Sequence, residues 1–238
     1  MTSLDTRPGV YLHNLGCQMN ALDSERLLGL LEEDGYRSVA EVQEADLILV
    51  NTCSVRDHAE HKAYSLLGQY ARQKRFHPGL IVGMIGCLAQ REGERVLSRA
   101  PALDLVVGPG DLDAVPGIIR ALREERRSVV AVSRASGRAL GGSHRAASGR
   151  AAGGGPVAFV EVSHGCDRSC TFCIVPTVRG RETSRPPEEI VEEVRVLAGQ
   201  GVREVVLLGQ TVNSYGRHQT PRTSLAELLG RIDAVAGI

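Results

Sequence analysis

No run of apolar residues in this 238-residue chain approaches the roughly 18 needed to cross a bilayer. The N-terminal MTSLDTRPGV also lacks the apolar centre of a secretory signal. These absences remove a membrane partner and export from the expectations and leave a cytoplasmic protein. Lysine is nearly missing, since only Lys62 and Lys74 occur and every other basic residue is arginine. Arginine forks suit phosphate and base recognition, but GC-rich coding produces the same bias, so it carries no weight. Net charge is absent too, with 28 basic against 28 acidic residues, and the total therefore requires no nucleic-acid partner.

A content of 42% hydrophobic and 24% charged residues excludes wholesale disorder, and the length admits two modest domains. Over residues 1–132 short apolar runs alternate with amphipathic segments. Val10 to Leu12 reads as a strand, followed by a helix over DSERLLGLLEEDGY with Asp23 or Ser24 as its cap and Gly35 as its stop. Strands are expected at Ala45 to Val50, Leu80 to Ile85, Leu103 to Val107 and Val129 to Val132. Helices are expected at Asp57 to Lys74, Arg91 to Arg99 and Asp111 to Arg126. Such alternation predicts an α/β domain with an open, mostly parallel sheet flanked by helices. Residues 133–156, small, polar and glycine-rich with four arginines and no acid, read as a flexible linker. Residues 157–238 hold a strand at Val157 to Val162, a helix at Glu188 to Gln200, a strand at Glu204 to Leu208 and a helix at Leu225 to Val235.

Six cysteines in a reducing compartment point to metal ligands or catalytic groups rather than disulfides. Cys166, Cys170 and Cys173 form Cys-x3-Cys-x2-Cys within CDRSCTFC. A short loop with this spacing wraps three thiolates round one cuboidal iron-sulfur cluster and leaves one iron open. Phe172 precedes the third cysteine, as an aromatic residue does in radical S-adenosylmethionine (SAM) enzymes, where SAM takes the open iron. Zinc is the competing metal, but it needs a fourth ligand, for which His164 is the candidate, and no second Cys-x2-Cys follows. The strand before the run delivers the loop at its C-terminal end, where barrel enzymes place chemistry.

Cys17, Cys53 and Cys87 lie 36 and 34 residues apart, each just past a predicted strand. In an open parallel sheet those strand ends share one edge, so three distant thiolates can converge there as a second three-thiolate site. The plainer reading is three small buried residues, since free cysteine packs as a small hydrophobe. Recurrence of one structural position in Gly16-Cys17-Gln18, Asn51-Thr52-Cys53 and Gly86-Cys87-Leu88 favours the ligand reading.

Five segments resemble the methylthiotransferases, and within them the tRNA 2-methylthio-N6-isopentenyladenosine synthases of the MiaB type. They are GCQMNALDSE (16–25), NTCSVRDHAEHK (51–62), GCLAQREGE (86–94), CDRSCTFCIVPTVRGRETSRP (166–186) and EVVLLGQTVNSYG (204–216). Gln18-Met19-Asn20 favours the tRNA enzymes, because the ribosomal-protein methylthiotransferases typically have a Pro-Lys pair there. The resemblance implies an auxiliary [4Fe-4S] cluster on Cys17, Cys53 and Cys87 and a SAM cluster on Cys166, Cys170 and Cys173. It implies methylthio transfer to C2 of N6-isopentenyladenosine beside the tRNA anticodon, with two SAM molecules and an electron donor such as flavodoxin or ferredoxin. An unactivated aromatic C–H demands such cofactor chemistry, so no side chain is assigned a catalytic role. Phe172, Gln210 and Asn213 are the implied SAM contacts, and Arg179 and Arg181 lie near the expected active face. A monomer is expected.

The resemblance also implies a radical SAM partial (β/α) barrel, of which only the first βα units follow the linker, and a C-terminal β domain that is absent. Position 211 is Thr where the family pattern has Asn. The expectation is a piece of a longer protein, inactive alone, with an open sheet edge prone to aggregation. The alternatives are methylthiolation of another adenosine derivative or a ribosomal protein, a cluster carrier without catalysis, and a zinc-binding module.

Overall fold

The computed structural model describes residues 5–55, 57–125, 127–133 and 155–238. Apart from Ser133, Gly155 and Pro156, the expected linker lies outside the described residues. The chain divides into two compact units, Met1–Ser133 and Arg134–Ile238.

The first unit runs β1 (Gly9–Asn14), α1 (Gln18–Glu33), β2 (Arg37–Ser38), β3 (Leu47–Thr52), α2 (Asp57–Gln73) and β4 (Ile81–Gly86). It continues α3 (Cys87–Glu92), α4 (Arg95–Arg99), β5 (Leu105–Val107), α5 (Val115–Glu124) and β6 (Val129–Ala131). Six strands form one sheet in the order β2-β1-β3-β4-β5-β6, every pairing parallel. The open parallel α/β sheet expected from the alternation is therefore present. Every residue of β3 and β4 is buried, because helices cover both faces and the strands need no polar side. Leu47, Leu49, Ile81 and Ile85 pack with Leu27 and Leu31 of α1 and Ile119 and Leu122 of α5. Ile48, Val50, Val82 and Met84 pack on the other face with Ala63, Leu67 and Tyr70 of α2 and Leu88 of α3. The alternation follows from the two-residue period of a strand.

Several boundaries differ from expectation. Helix α1 starts at Gln18, ahead of Asp23, because Cys17 serves as its N-cap and Asn20 closes a capping box with it. The helix expected at Arg91 to Arg99 is two short ones, broken at Gly93, whose φ is +53°. The stretch from Pro109 to Ala114 is a 3-10 turn, and only from Val115 does the chain become α-helical.

The second unit holds β7 (Val157–Glu161), β8 (Ser163–His164), α6 (Val175–Arg179), β9 (Thr183–Ser184), α7 (Pro187–Gly199), β10 (Glu204–Leu208) and α8 (Leu225–Asp233). Strands β7 and β10 pair in parallel, with Glu161 opposite Leu208. Ala158, Val160 and Val162 pack with Ile190 and Val194 of α7 and Leu228 and Ile232 of α8. These are the two expected βα units. Strands β8 and β9, two residues each, pair antiparallel and were too short for any periodicity to reveal.

Arg185 and Glu193 form an ion pair at 2.7 Å whose side chains are 1% and 2% exposed. The guanidinium also donates to the carbonyl of Glu161 at 2.7 Å, which fastens α7 to the end of β7. Removing one partner of such a pair strands a charge in a medium that cannot solvate it. Glu193→Ala is therefore expected to lower the unfolding free energy in urea by about 3–5 kcal/mol. Glu192→Ala, which removes an exposed pair with Arg195, should cost less than about 1 kcal/mol.

Candidate metal centres

The strand order reverses at β1: the chain leaves β1 towards β2 on one side and returns to β3 on the other. At such a switch point the loops after two neighbouring strands diverge and open a crevice at their C-terminal ends. Cys17 follows β1 after Leu15 and Gly16, Cys53 follows β3 directly, and Cys87 follows β4 directly. Asn14 is paired with Asn51 and Thr52 with Gly86, so the three adjacent strands end nearly level. The structure therefore brings the three distant cysteines to one edge of the sheet.

Buried polar groups join these loops from below. Asn20 and Asn51 are both 0% exposed, and Asn20 Nδ2 donates to Asn51 Oδ1 at 2.8 Å. Gly86, with φ +95°, lies against this pair, and a side chain there would put its Cβ 2.3 Å from Asn51 Oδ1. From the helical side, Arg91 of α3 donates to the Ser54 carbonyl at 3.2 Å and to Glu60 of α2 at 2.5 Å. Burial raises the Glu60 carboxyl, but hydrogen bonds from Arg91 and Arg99 outweigh it and hold the group below its ordinary value.

In the second unit Cys166 follows β8, and its loop is docked rather than free. Gly165, with φ +72°, lets the chain pass against Gly180 and Arg181, where a Cβ would fall 2.1 Å from the Arg181 carbonyl oxygen. The Cys166 N–H donates to Gly180 O at 3.1 Å, and the Glu182 N–H donates to Asp167 at 3.1 Å. That N–H, with the Arg181 guanidinium, holds the Asp167 carboxyl below its ordinary value. His164 Nδ1 is 2.7 Å from Glu161 Oε1, so a buried carboxylate already holds the imidazole suggested as a zinc ligand.

None of the six cysteines forms a disulfide. Cys53 Sγ accepts the N–H of Val55 and Cys166 Sγ accepts the N–H of Arg168, each at 3.4 Å and two residues ahead. Cysteine sulfur is a soft donor, so sets of three cysteines suit a soft metal or an iron-sulfur cluster. Among the described residues no three His, Cys, Asp or Glu side chains are gathered about a common point. The sulfurs are thus donors sharing an edge or a loop and not a finished cage.

The other expected residues are placed unevenly. Phe172 is 91% exposed beside the exposed Cys170. Arg179 is buried, whereas Arg181 is exposed and paired with Asp167. Gln210 is half-buried after β10, with Oε1 enclosed and without a hydrogen-bond partner among the described residues. Asn213 is exposed in the 3-10 turn Val212–Ser214. Sequence reasoning missed Ser163, whose enclosed Oγ also has no partner among the described residues. It used Asn20 only to sort families and Asn51 only as a polar flank of Cys53; a polar residue closing the apolar run LILVNT was the available signal.

Residues 9–108 match the model described as "Uncharacterized protein family UPF0004", and residues 160–233 match the Radical SAM superfamily model. The radical S-adenosylmethionine methyltransferase TsrM of Kitasatospora setae shares the fold in two solved structures. Their TM-scores are 0.53 and 0.51 at 17% and 15% identity, covering 86% and 87% of this chain and 48% and 50% of theirs. The tRNA-2-methylthio-N(6)-dimethylallyladenosine synthases of Syntrophus aciditrophicus and Geobacter metallireducens are 42% and 48% identical to it over 96% of its length. The alignments take in 49% and 51% of those proteins. The chain is thus a relative of the tRNA-2-methylthio-N(6)-dimethylallyladenosine synthases, aligned over nearly all of its own length and spanning about half of theirs.

Proposed function

We propose that this chain carries two [4Fe-4S] clusters and belongs to a radical SAM enzyme that adds a methylthio group to C2 of N6-isopentenyladenosine in tRNA. The observation that carries the reading is the placement of Cys17, Cys53 and Cys87 just past the ends of three adjacent parallel strands. The compact Cys166, Cys170 and Cys173 loop supplies the second set. The names of the aligned relatives support the substrate. The first unit is read as the auxiliary-cluster domain and the second as the SAM domain, with a flavodoxin- or ferredoxin-type electron donor and a monomeric state.

A three-thiolate [4Fe-4S] cluster supplies an open iron for SAM and the electron for its reductive cleavage, which the unactivated C2–H requires. The residues of this chain bind and orient. Cys166, Cys170 and Cys173 hold the SAM cluster, while the enclosed Ser163 Oγ in β8 and Gln210 Oε1 after β10 offer acceptors to the polar end of SAM. Phe172 and Asn213, both exposed, supply further contacts with SAM. The target adenosine must leave its stack to reach the site, as bases in single-stranded loops do most readily.

Reconstituted anaerobically with iron and sulfide, the chain is expected to hold about eight irons with matching labile sulfide. Cys17→Ala should reduce this to about four; a zinc-only protein or a chain saturating at four would overturn the two-cluster reading. Substrate identity is tested by inactivating the gene in its host and separating tRNA nucleosides by mass spectrometry. Methylthiolated isopentenyladenosine should fall to its unmodified precursor, and a persisting methylthio mark rejects the assignment.

Thr211 gives a narrower test. Its Oγ1 lies 3.1 Å from Cys166 Sγ, and against a ligating thiolate only the hydroxyl has a proton to donate. Hydrogen bonds to cluster sulfurs help set the reduction potential. Thr211→Val, nearly equal in shape, should shift the midpoint of the SAM cluster to a more negative value in an EPR-monitored titration.

A further inference from the structure

Two primary carboxamides with no exposed surface sit beneath the edge that bears Cys17, Cys53 and Cys87. Oδ1 of Asn20 accepts the N–H of Cys17 at 3.3 Å and contacts its Sγ at 3.3 Å. Nδ2 of Asn20 points the other way, to Asn51 Oδ1 at 2.8 Å and to the carbonyl of Thr52, next to Cys53, at 3.4 Å. Asn51 Nδ2 donates back to the Asn20 carbonyl at 2.8 Å and to Ser24 Oγ at 2.9 Å. Gly86, next to Cys87, packs on both amides, a built Cβ there coming within 2.3 Å of Asn51 Oδ1 and 3.0 Å of Asn20 Nδ2. One pair of side chains thus touches the residue at or before each cysteine.

The amide orientations are forced, because a backbone N–H only donates and a backbone carbonyl only accepts. Oδ1 of Asn20 must face Cys17 and Nδ2 must face Thr52, and Asn51 Nδ2 must face the Asn20 carbonyl. Apolar residues here would pack equally well but would set no spacing; a closed polar network admits one arrangement.

Resting on the reading of Cys17, Cys53 and Cys87 as one cluster site, we infer that Asn20 and Asn51 are positioning residues that fix the spacing of its three loops. They ligate nothing themselves. Asn20→Asp keeps the size but turns an oxygen towards Asn51 Oδ1 and the Thr52 carbonyl, and Asn51→Asp turns one towards the Asn20 carbonyl. Partners of this kind, one layer behind the ligands, typically cost 10- to 100-fold in metal affinity when lost.

The test uses the full chain with Cys166, Cys170 and Cys173 replaced by alanine, so that only the first thiolate set takes up iron. This parent, reconstituted with iron and sulfide, is challenged with a chelator while iron release and the EPR signal of the reduced cluster are followed. Asn20→Asp and Asn51→Asp should release iron about 10- to 100-fold more readily, with an altered EPR line shape. Leu27→Ala, a cavity in the core beneath α1, is the control for simple destabilisation and should lower the urea midpoint while keeping the parent's release rate and spectrum. Asn20→Ser, which removes the cross-strand donor with a smaller group, replaces Asn20→Asp should that variant not fold. A parent that takes up no iron rejects the two-cluster reading. A parent that binds iron, with Asn variants that match Leu27→Ala, overturns the positioning role alone.

Discussion

Five residue pairs join β1 to β3 and six join β3 to β4, all in parallel register. This ladder is the constraint on which the rest of the first unit depends. It ends Asn14 beside Asn51 and Thr52 beside Gly86, and the chain departs for three helices from those positions. Moving β3 by one residue would exchange the side chains packed against α1 and α5 with those packed against α2. The same slip would turn Asn51 away from Asn20 and carry Cys53 out of line with Cys87. The hydrophobic pattern of β3 that buries the core therefore also places a sulfur.

Polar groups at that edge perform a task that apolar packing cannot. Leu47 to Val50 are interchangeable in kind with many aliphatic residues of similar volume. Asn51 is not, since its amide takes one proton and gives two in fixed directions. The second unit repeats the scheme with charge: Arg185 ties the Glu161 carbonyl to Glu193 of α7, and its own carbonyl accepts Tyr215 Oη and Gln219 Nε2. Each unit thus anchors the end of a strand that leads towards its cysteines with a buried polar knot, amide in one and ionic in the other.

Much of this was legible before any coordinates. Continuous apolar runs such as LILV and IVGMI named the buried strands, and the spacing of Cys166, Cys170 and Cys173 named their loop, because both signals are local. Strand order is not local. Nothing in the residues of β1, β3 and β4 says that they are neighbours, and the convergence of Cys17, Cys53 and Cys87 followed only from a rule about parallel sheets. The early start of α1 was hidden because cysteine is an uncommon N-cap and Asn20 acts through a capping box that the usual Ser, Thr and Asp signals do not announce. Arg91 and Ser163 stayed invisible because their importance lies in what the fold puts beside them.

On the two-cluster reading proposed above, the two cysteine sets differ in what must exist before metal arrives. Cys166, Cys170 and Cys173 lie within eight consecutive residues, CDRSCTFC, so a loop of ordinary length gathers them. Cys17, Cys53 and Cys87 span 71 residues and follow three different strands, and an unfolded chain holds them apart. For the first set folding and ligation are loosely coupled; for the second the sheet must form before three sulfurs share an edge, and bound metal would in turn stabilise the sheet. On that reading a distributed site needs rigid support between its ligands, and among the described residues of the first unit the fully buried carboxamides, Asn20 and Asn51, lie under that edge. Ligands that are close in sequence are positioned by their loop, and ligands that are distant must be positioned by the fold.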